Sequence, residues 1–375
     1  MPKLTFFPIG NADCCLMDLD NNKKLLFDYA DKRNLDDKND RRIDLPSELR
    51  TYLNAAERDD YDVVAFSHLD LDHIQGASSF FYLEHDKKYQ GDTRKKIKEL
   101  WVPAAVIVED VENGTEDHLA VQKEARYRLR NRKGIRIFSR PDMLKDWLKK
   151  QGIDFDSVKH LITDAGQTVP GFDKQSDGVE FFVHSPFAKR LNEKEVVDRN
   201  CDSLVFQVTF VCSGSETYLI LSADAPHDVL SDIVDVTRSH KREDRLKWDI
   251  FKLPHHCSYL SLGPEKGKDK TVPVPNVKWL FEEQGQQGGI IVSTSDVIPS
   301  VDTDQPPHRQ AANYYREVAS DIAGEFRVTM EYPSQTIPKP LVISIDASGA
   351  KVVKRNVGGG PGIVGGPAPR AGVRR

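Results

Sequence analysis

Residues 66–76 read FSHLDLDHIQG and directly follow the apolar run YDVVA at 61–65. Two histidines and two aspartates therefore lie within six positions, at the end of what the apolar run predicts to be a buried strand. Crowding titratable side chains there is costly unless each finds a partner. A divalent cation would offset the carboxylate repulsion and hold the imidazoles in their neutral, ligating form. Residues 68–73 are therefore a candidate metal-binding segment, although Asp72 could instead cap a helix N-terminus.

Other polar side chains also stand just past the ends of apolar runs. Asp224 follows YLILSA, and the pair His255 and His256 follows DIFKLP. Asp224 could instead cap the next turn, and His308 could simply cap the predicted helix HRQAANYYREVAS. Because strand ends converge at one edge of an α/β fold, we expect these groups to meet the first segment in space.

The order of these motifs resembles the metallo-β-lactamase superfamily. HLDLDHIQG is similar to the H-x-D-x-D-H signature of the branch typified by the metallohydrolase domain of the competence protein ComEC, in which Asp replaces the usual second His, as Asp70 does here. Later segments that resemble this branch follow in order: NCDSLVFQV with Asn200 and Ser203, LILSADA with Asp224, FKLPHHCS with His255 and His256, and VSTSDVIPSVDTDQPPHRQ with His308. The chain departs from the pattern at four positions that carry Gly in the branch, namely Ala30, Gln75, Ala223 and Cys257.

The resemblance implies an α/β metallo-β-lactamase fold, an αββα sandwich of two mixed β-sheets flanked by helices. It also implies two divalent metal ions, either zinc or manganese. His68 and Asp70 would bind one ion, Asp72 and His73 the other, and Asp224 would bridge them. Such a pair of ions activates a hydroxide for attack on phosphorus or a carbonyl carbon.

The resemblance also implies roles for the histidines outside the first motif. One of the adjacent pair would complete a metal shell, and we favour His255 as that ligand. His256 would then lie behind it or contact substrate. His308 would protonate the leaving group if it reaches the cleft. The predicted catalytic residues are Asp72, His256 and His308.

The composition describes a globular protein without a strong bias towards one partner. The chain has 375 residues, of which 39% are hydrophobic and 30% charged, and its net charge is −5. No apolar run approaches the roughly 18 residues that cross a bilayer. We expect no membrane association, no signal peptide at MPKLTFFPIG and, with five cysteines in no disulfide-like pattern, a cytoplasmic location.

The pattern along the chain predicts one hydrolase domain over 1–354, interrupted at about 87–167 by a charged, mainly helical insertion. The Gly/Pro-rich residues 355–375 are predicted to be a disordered tail. Strand patterns return with GVEFFVHSP, a hairpin around SGSE, KWDIFKLP and GGIIVSTSD, and the domain ends in a hairpin around DASG.

The basic stretch at 126–136 contains Arg126, Arg128 and Arg130 and could follow a phosphate backbone, although a solvated helix face is an equal alternative. With Asn200 and Ser203, these arginines are the candidate substrate-binding residues. The resemblance favours a phosphodiesterase or nuclease acting on single-stranded nucleic acid or nucleotides, with a protein partner bound through the tail or the insertion. The alternatives are a hydrolase of lactone, thioester or amide bonds, or a non-catalytic metal-stabilised module in a defence or other complex.

Overall fold

The structure is a computed structural model that describes residues 1–111, 114–193 and 197–354. The strands are β1 Lys3–Phe6, β2 Cys15–Asp18, β3 Lys24–Phe27, β4 Asp60–Ala65, β5 Lys96–Pro103, β6 Ile135–Phe138, β7 Ile162–Thr163, β8 Val179–Ser185, β9 Val205–Cys212, β10 Ser215–Ser222, β11 Trp248–Lys252, β12 Gly285–Ser293, β13 Glu325–Val328, β14 Leu341–Asp346 and β15 Gly349–Val352. The helices are α1 Leu45–Ala55, α2 Leu71–Ile74, α3 Ala77–Phe80, α4 Ala104–Val108, α5 Glu116–Asn131, α6 Asp142–Lys150, α7 Ala188–Glu193, α8 His227–Ser239, α9 Pro275–Glu282 and α10 Arg309–Asp321. The predicted tail at 355–375 lies outside the described residues.

The strands form two mixed sheets. The first has the order β15-β14-β1-β2-β3-β4-β5-β6-β7, antiparallel from β15 to β3 and parallel from β3 to β7. The second has the order β13-β12-β11-β10-β9-β8, parallel from β13 to β10 and antiparallel beyond. Parallel strands leave their carboxyl ends at one edge, which is where the polar segments follow β4, β10 and β11.

The two sheets pack face to face, and helices cover their outer faces. The central core joins Phe27 and Trp101 of the first sheet to Phe181 and Phe206 of the second. Separate apolar cores lie between the first sheet and α1 to α6, and between the second sheet and α8 to α10. Burial on both faces explains why the inner strands are continuous apolar runs instead of alternating ones.

The segment at 87–167 differs from the predicted helical insertion. It supplies β5, β6 and β7, which continue the first sheet in parallel from β4. Trp101 of β5 is fully buried in the central core. The charged helices α5 and α6 are crossover connections between these strands, as parallel strands require.

No helix within the described residues combines the length and the apolar character needed to span a bilayer.

Candidate metal centre

The polar segments of both sheets meet at one end of the sandwich. Residues 67–73 follow β4, Asp28 follows β3, Asp224 follows β10, and His256 follows β11. Each of these groups is held at the end of a buried strand, so its position is fixed by the core packing behind it.

Four side chains converge most closely. Asp72, His73, Asp224 and His256 each offer one ligand atom, and these four atoms all lie within 4.8 Å of one another. Nε2 of His73 lies 3.2 Å from Oδ1 of Asp224, and Nε2 of His256 lies 3.1 Å from Oδ2 of Asp72. Three of the four are almost completely buried, and Asp72 is partly exposed. The group therefore has the composition and spacing of a cation site that is open on the Asp72 side.

His68 and Asp70 lie beside this group. Nε2 of His68 is 3.8 Å from Oδ2 of Asp70, and the imidazole of His68 lies 4.0 Å from that of His73 between ring centroids. The sequence HLDLDH thus turns so that its two histidine rings are neighbours. The pair His68 and Asp70 forms a second, less complete set of ligands.

The hydrogen bonds behind the three imidazoles point their Nε2 lone pairs into the same region. Nδ1 of His73 donates to Oδ2 of Asp28 at 2.8 Å, and Nδ1 of His256 donates to the carbonyl oxygen of Thr294 at 2.8 Å. The hydroxyl of Ser67 donates to Asp28 and therefore accepts from Nδ1 of His68 at 3.1 Å. With Nδ1–H engaged, each ring would turn its Nε2 towards a bound cation, as metal-ligating histidines do.

Several of the converging atoms have no hydrogen-bond partner among the described residues. They are Nε2 of His68, Nε2 of His73 and Oδ1 of Asp224, all of them buried. A lone pair that faces a carboxylate oxygen is repulsive unless a proton or a cation lies between the two atoms. Unsatisfied buried polar atoms of this kind are rare in native proteins and call for a specific explanation.

The pKa shifts show the same need for positive charge. Burial alone would lower the pKa of His73, but the carboxylates of Asp224 and Asp28 outweigh it and raise that pKa well above its ordinary value. Burial likewise opposes the charged form of Asp224, yet His73 and His256 hold the pKa of this carboxyl well below its usual range. His68 behaves differently, because burial and the neighbouring His73 lower its pKa.

A second acidic group next to the site is already paired with a positively charged side chain. Asp13, Asp28 and His73 also offer ligand atoms within 4.8 Å of one another. The ammonium group of Lys252 and the hydroxyl of Thr294 both bind the carboxylate of Asp13. Lys252 is only 2% exposed, so its charge compensates this group internally.

The backbone is strained at the turn that carries the histidine pair. His255, His256 and Cys257 have φ values of 48°, 50° and 67°, and Asp28 has 57°. Such left-handed conformations cost side-chain-bearing residues about 1–3 kcal/mol each and cluster at functional sites. Cys257 occupies a position where Gly would be free of this cost, which agrees with the Gly that the sequence pattern leads one to expect there.

The two members of the histidine pair lie differently with respect to the four-residue group. His255 was the favoured ligand, but its ring is half-buried, lies 6.2 Å from that of His256 and does not belong to the four-residue group. His256 takes that place because the left-handed turn directs its Nε2 towards Asp72. His308 lies outside the group as well: its Nδ1 accepts from the N–H of Tyr259 at 3.3 Å, and its Nε2 faces the carbonyl oxygen of Asp304 at 3.4 Å.

The segment NCDSL lies alongside the first motif. The N–H of Leu204 donates to the carbonyl oxygen of Ser67 at 3.2 Å, and the hydroxyl of Ser203 donates to the carbonyl oxygen of Asn200 at 2.8 Å. Oδ1 of Asn200 is buried without a hydrogen-bond partner in the described part of the chain. The segment therefore supports the loop that carries His68.

The three arginines of the basic stretch make contacts within the protein. Arg128 is 3% exposed and its Nε donates to Glu124 at 2.6 Å. Arg126 donates to the carbonyl oxygens of Ile107 and Glu109. Arg130 binds the side-chain oxygen of Gln151 and packs over Trp147. These guanidinium groups hold α5 in place, because their donors are already engaged by protein acceptors.

Another arginine, absent from the sequence prediction, reaches the centre. NH1 of Arg199 donates to Oδ1 of Asp70 at 2.7 Å, and its NH2 lies 2.6 Å from Glu109. These residues line an open cleft of about 840 Å³ beside Asp70, together with Leu71 and His118. Its place in the sequence could have indicated this role, because Arg199 immediately precedes the NCDSLV segment.

Comparison with known proteins gives little beyond this geometry. No family model matches the chain, and no match to a curated protein was found. Among solved structures, the chain is similar to one described as a new diphosphatase from the PhnP family, with 10% identity and a TM-score of 0.30. That likeness covers 78% of this chain and 86% of the other. At this level it identifies neither a fold family nor an activity for the chain.

Proposed function

We propose that this chain is a metal-dependent hydrolase of the metallo-β-lactamase fold that cleaves phosphodiester bonds in nucleic acids or nucleotides. The observation that carries the proposal is the convergence of Nε2 of His73 and of His256 with the carboxylates of Asp72 and Asp224. Nε2 of His73 and Oδ1 of Asp224 are buried without a hydrogen-bond partner in the described part of the chain, at a cost that a bound cation would offset.

The residues fit divalent cations. Asp72, His73, Asp224 and His256 would hold one ion, and His68 and Asp70 would hold a second beside Asp224. A set of imidazole nitrogens and carboxylate oxygens suits zinc and manganese alike. The buried atoms that lack partners, above all Nε2 of His68 and of His73, are those that a cation would satisfy.

Two divalent cations held there would supply a nucleophilic hydroxide at neutral pH and stabilise the negative charge that develops on the phosphoryl oxygens. The chain's own groups prepare the site for this chemistry. Asp28 and the carbonyl oxygen of Thr294 fix the orientation of His73 and His256 through their Nδ1–H groups. The partial exposure of Asp72 and Asp70 leaves the open side of the site to the substrate.

His308 remains the candidate donor of a proton to the leaving group. It lies against the strained histidine turn, since its backbone N–H donates to the carbonyl oxygen of Cys257 at 3.1 Å. Because Nδ1 accepts from Tyr259, the proton that His308 could give is on Nε2, and burial lowers the pKa of this imidazole. Local reorientation of the ring away from Asp304 would be needed to reach a substrate.

The choice of phosphodiesters rests on the resemblance of the ordered motifs to the ComEC-like branch. Of the basic stretch, the exposed Arg130 stays a candidate for contact with a phosphate backbone, whereas Arg126 and Arg128 are bound by acceptors of the protein itself. A cytoplasmic location and a protein partner stay predictions from the sequence.

The test is hydrolysis of bis(4-nitrophenyl) phosphate and of a single-stranded oligonucleotide by protein loaded with Mn²⁺ or Zn²⁺. We expect turnover that is lost with EDTA and in Asp72→Asn. Asp249→Asn is the matched control, because Asp249 accepts only a backbone N–H from Tyr218 in the described structure and Asn can keep that bond. Turnover of lactones with both diesters untouched would favour a hydrolase of another bond, and bound metal without any turnover would favour a non-catalytic module.

A further inference from the structure

Arg199 gives the two sets of candidate ligands unequal surroundings. Its guanidinium lies between Asp70 and Glu109, with NH1 at 2.7 Å from Oδ1 of Asp70 and NH2 at 2.6 Å from Oε1 of Glu109. NH2 also lies 3.4 Å from Nδ1 of His118. The Arg199 side chain is 31% exposed, so solvent screens its charge only in part.

The set around Asp224 is complete without Arg199. Its four ligand atoms lie within 4.8 Å of one another, and no guanidinium or ammonium group contacts them directly in the described structure. The imidazole lone pairs of His73 and His256 are already oriented there by their Nδ1 partners. A cation entering this set therefore meets no protein cation in direct contact with its ligands.

The set around His68 is poorer and already faces a positive charge. It contains Nε2 of His68 and Oδ2 of Asp70, while Oδ1 of the same carboxylate is bound to Arg199. An arginine stays protonated at any physiological pH, so this charge cannot be released as a proton. It weakens the carboxylate as a ligand and repels an incoming dication.

We propose that Arg199 makes metal loading ordered, so that the set of Asp72, His73, Asp224 and His256 fills first and tightly, and the set of His68 and Asp70 fills second and weakly. This inference rests on the proposed metal-dependent function. Glu109 moderates the effect, because its carboxylate compensates part of the Arg199 charge. Arg199 therefore lowers the metal affinity of the set of His68 and Asp70, and Glu109 raises it.

The test is calorimetric titration of the metal-free protein with Zn²⁺ and with Mn²⁺. The wild-type protein should bind in two phases. Arg199→Met should tighten the second phase on the order of tenfold and leave the first unchanged, because it removes a like charge at close range. Glu109→Gln should weaken the second phase, because it leaves Arg199 uncompensated.

Two controls separate this effect from general changes in charge or packing. Arg190→Met also removes an arginine bound to a carboxylate, since NH2 of Arg190 lies 2.7 Å from Asp232 on α8. Asp110→Asn removes an acid that lines the same cleft but makes no ion pair with Arg199 in the described structure. Neither should alter the second phase, and thermal melting of every variant confirms that it is folded.

The outcomes distinguish the inference from the function beneath it. Two ions bound with equal affinity, or a second phase that Arg199→Met and Glu109→Gln leave unchanged or shift in the same direction, would overturn the ordering alone. A wild-type protein that binds neither metal would overturn the proposed function together with the ordering. Should Arg199→Met not fold, the direction of change in Glu109→Gln still decides the question.

Discussion

The cluster around His73 and the cluster around Glu124 contain the same kinds of side chain at the same depth, but their polar atoms are paired differently. Glu124 is completely buried; it accepts from Nδ1 of His85 at 2.9 Å and from Nε of Arg128 at 2.6 Å. Arg128 also donates to the carbonyl oxygens of Ile97 and Gly134. In this second cluster, donors meet acceptors throughout these contacts.

In the cluster around His73, two facing polar atoms are left without a hydrogen bond. Nε2 of His73 and Oδ1 of Asp224 lie 3.2 Å apart, and both lack a hydrogen-bond partner within the described chain. The difference teaches that burial and residue type do not separate a structural ion pair from a binding site. The hydrogen bonding of individual atoms distinguishes the two. A fully hydrogen-bonded network stabilises the fold, whereas buried atoms without partners indicate a ligand-binding site.

The largest expected effect is on activity in the His73 cluster. Asp224→Asn should lower phosphodiester hydrolysis by about 10³-fold or more, because several kcal/mol of charge stabilisation depend on the cations that Asp224 would share. Unfolding of the metal-free variant by urea measures the accompanying loss of the ion pairs with His73 and His256, so that activity is compared per folded molecule. A variant that keeps more than a tenth of the activity would remove Asp224 from the site.

The next effect is on stability in the Glu124 cluster. Glu124→Gln should lower the free energy of unfolding by about 3–5 kcal/mol, because it leaves the buried Arg128 unpaired. Activity per folded molecule should not change. Urea denaturation measures the loss, and the double variant Glu124→Gln with Arg128→Met should recover part of it. An unchanged midpoint would mean that this ion pair is not the structural one described here.

The buried His184 extends the comparison to the pH dependence of stability. His184 is buried, with Nε2 2.8 Å from the carbonyl oxygen of Arg245. Burial lowers its pKa to about 4. Above pH ~6.5 the ring is neutral in both folded and unfolded chains; between ~6.5 and ~4 only the unfolded chain gains the proton. The free energy of unfolding should therefore fall as pH falls, by up to about 3 kcal/mol at pH 4.

The variant His184→Gln isolates that contribution. Urea titrations between pH 4 and 7.5 should show a smaller loss of stability on acidification in the variant than in the wild-type protein. Parallel curves for the two proteins would contradict the neutral, buried state of His184.

The smallest of these effects is stabilisation by metal. At a free Zn²⁺ concentration one hundred times the dissociation constant, the free energy of unfolding should rise by about 2.7 kcal/mol for one site. The rise should be absent in Asp224→Asn and retained in Glu124→Gln, so it assigns the ligand to one cluster and not the other. Thermal melting with and without EDTA measures it; equal increases in both variants would point to binding elsewhere.

Much of the second sheet could be predicted from the sequence. The strands β8 to β12 follow apolar runs between clear turns, as does the terminal hairpin of β14 and β15 in the first sheet. The meeting of strand ends also brings Asp72, Asp224 and His256 to one place. These features follow from local pattern and from the geometry of parallel strands.

The region at 87–167 could not be placed in the same way. Strand β5 reads KIKELWVP, and its first half carries lysines and a glutamate that resemble a surface segment. Only its last four residues are continuously buried. Short buried strands between charged helices leave too weak a periodic signal to show that they extend a sheet.

Two differences between the predicted site and the observed contacts have local causes. The choice of His255 over His256 depends on three consecutive left-handed residues, which no pattern of residue types reveals when Gly is absent. Arg128 was grouped with a basic surface, although Glu124 lies four residues earlier. That spacing on a helix indicates an ion pair and was the signal that could have corrected the prediction.

The central claim is that the group of Asp72, His73, Asp224 and His256 binds a divalent cation. The most direct measurement is an anomalous difference map from crystals soaked in Zn²⁺ or Mn²⁺. We predict a peak at roughly 2.0–2.2 Å from Nε2 of His73, Nε2 of His256 and a carboxylate oxygen of Asp224. A map from fully soaked crystals with no peak among these four residues, or with peaks only elsewhere, would contradict it.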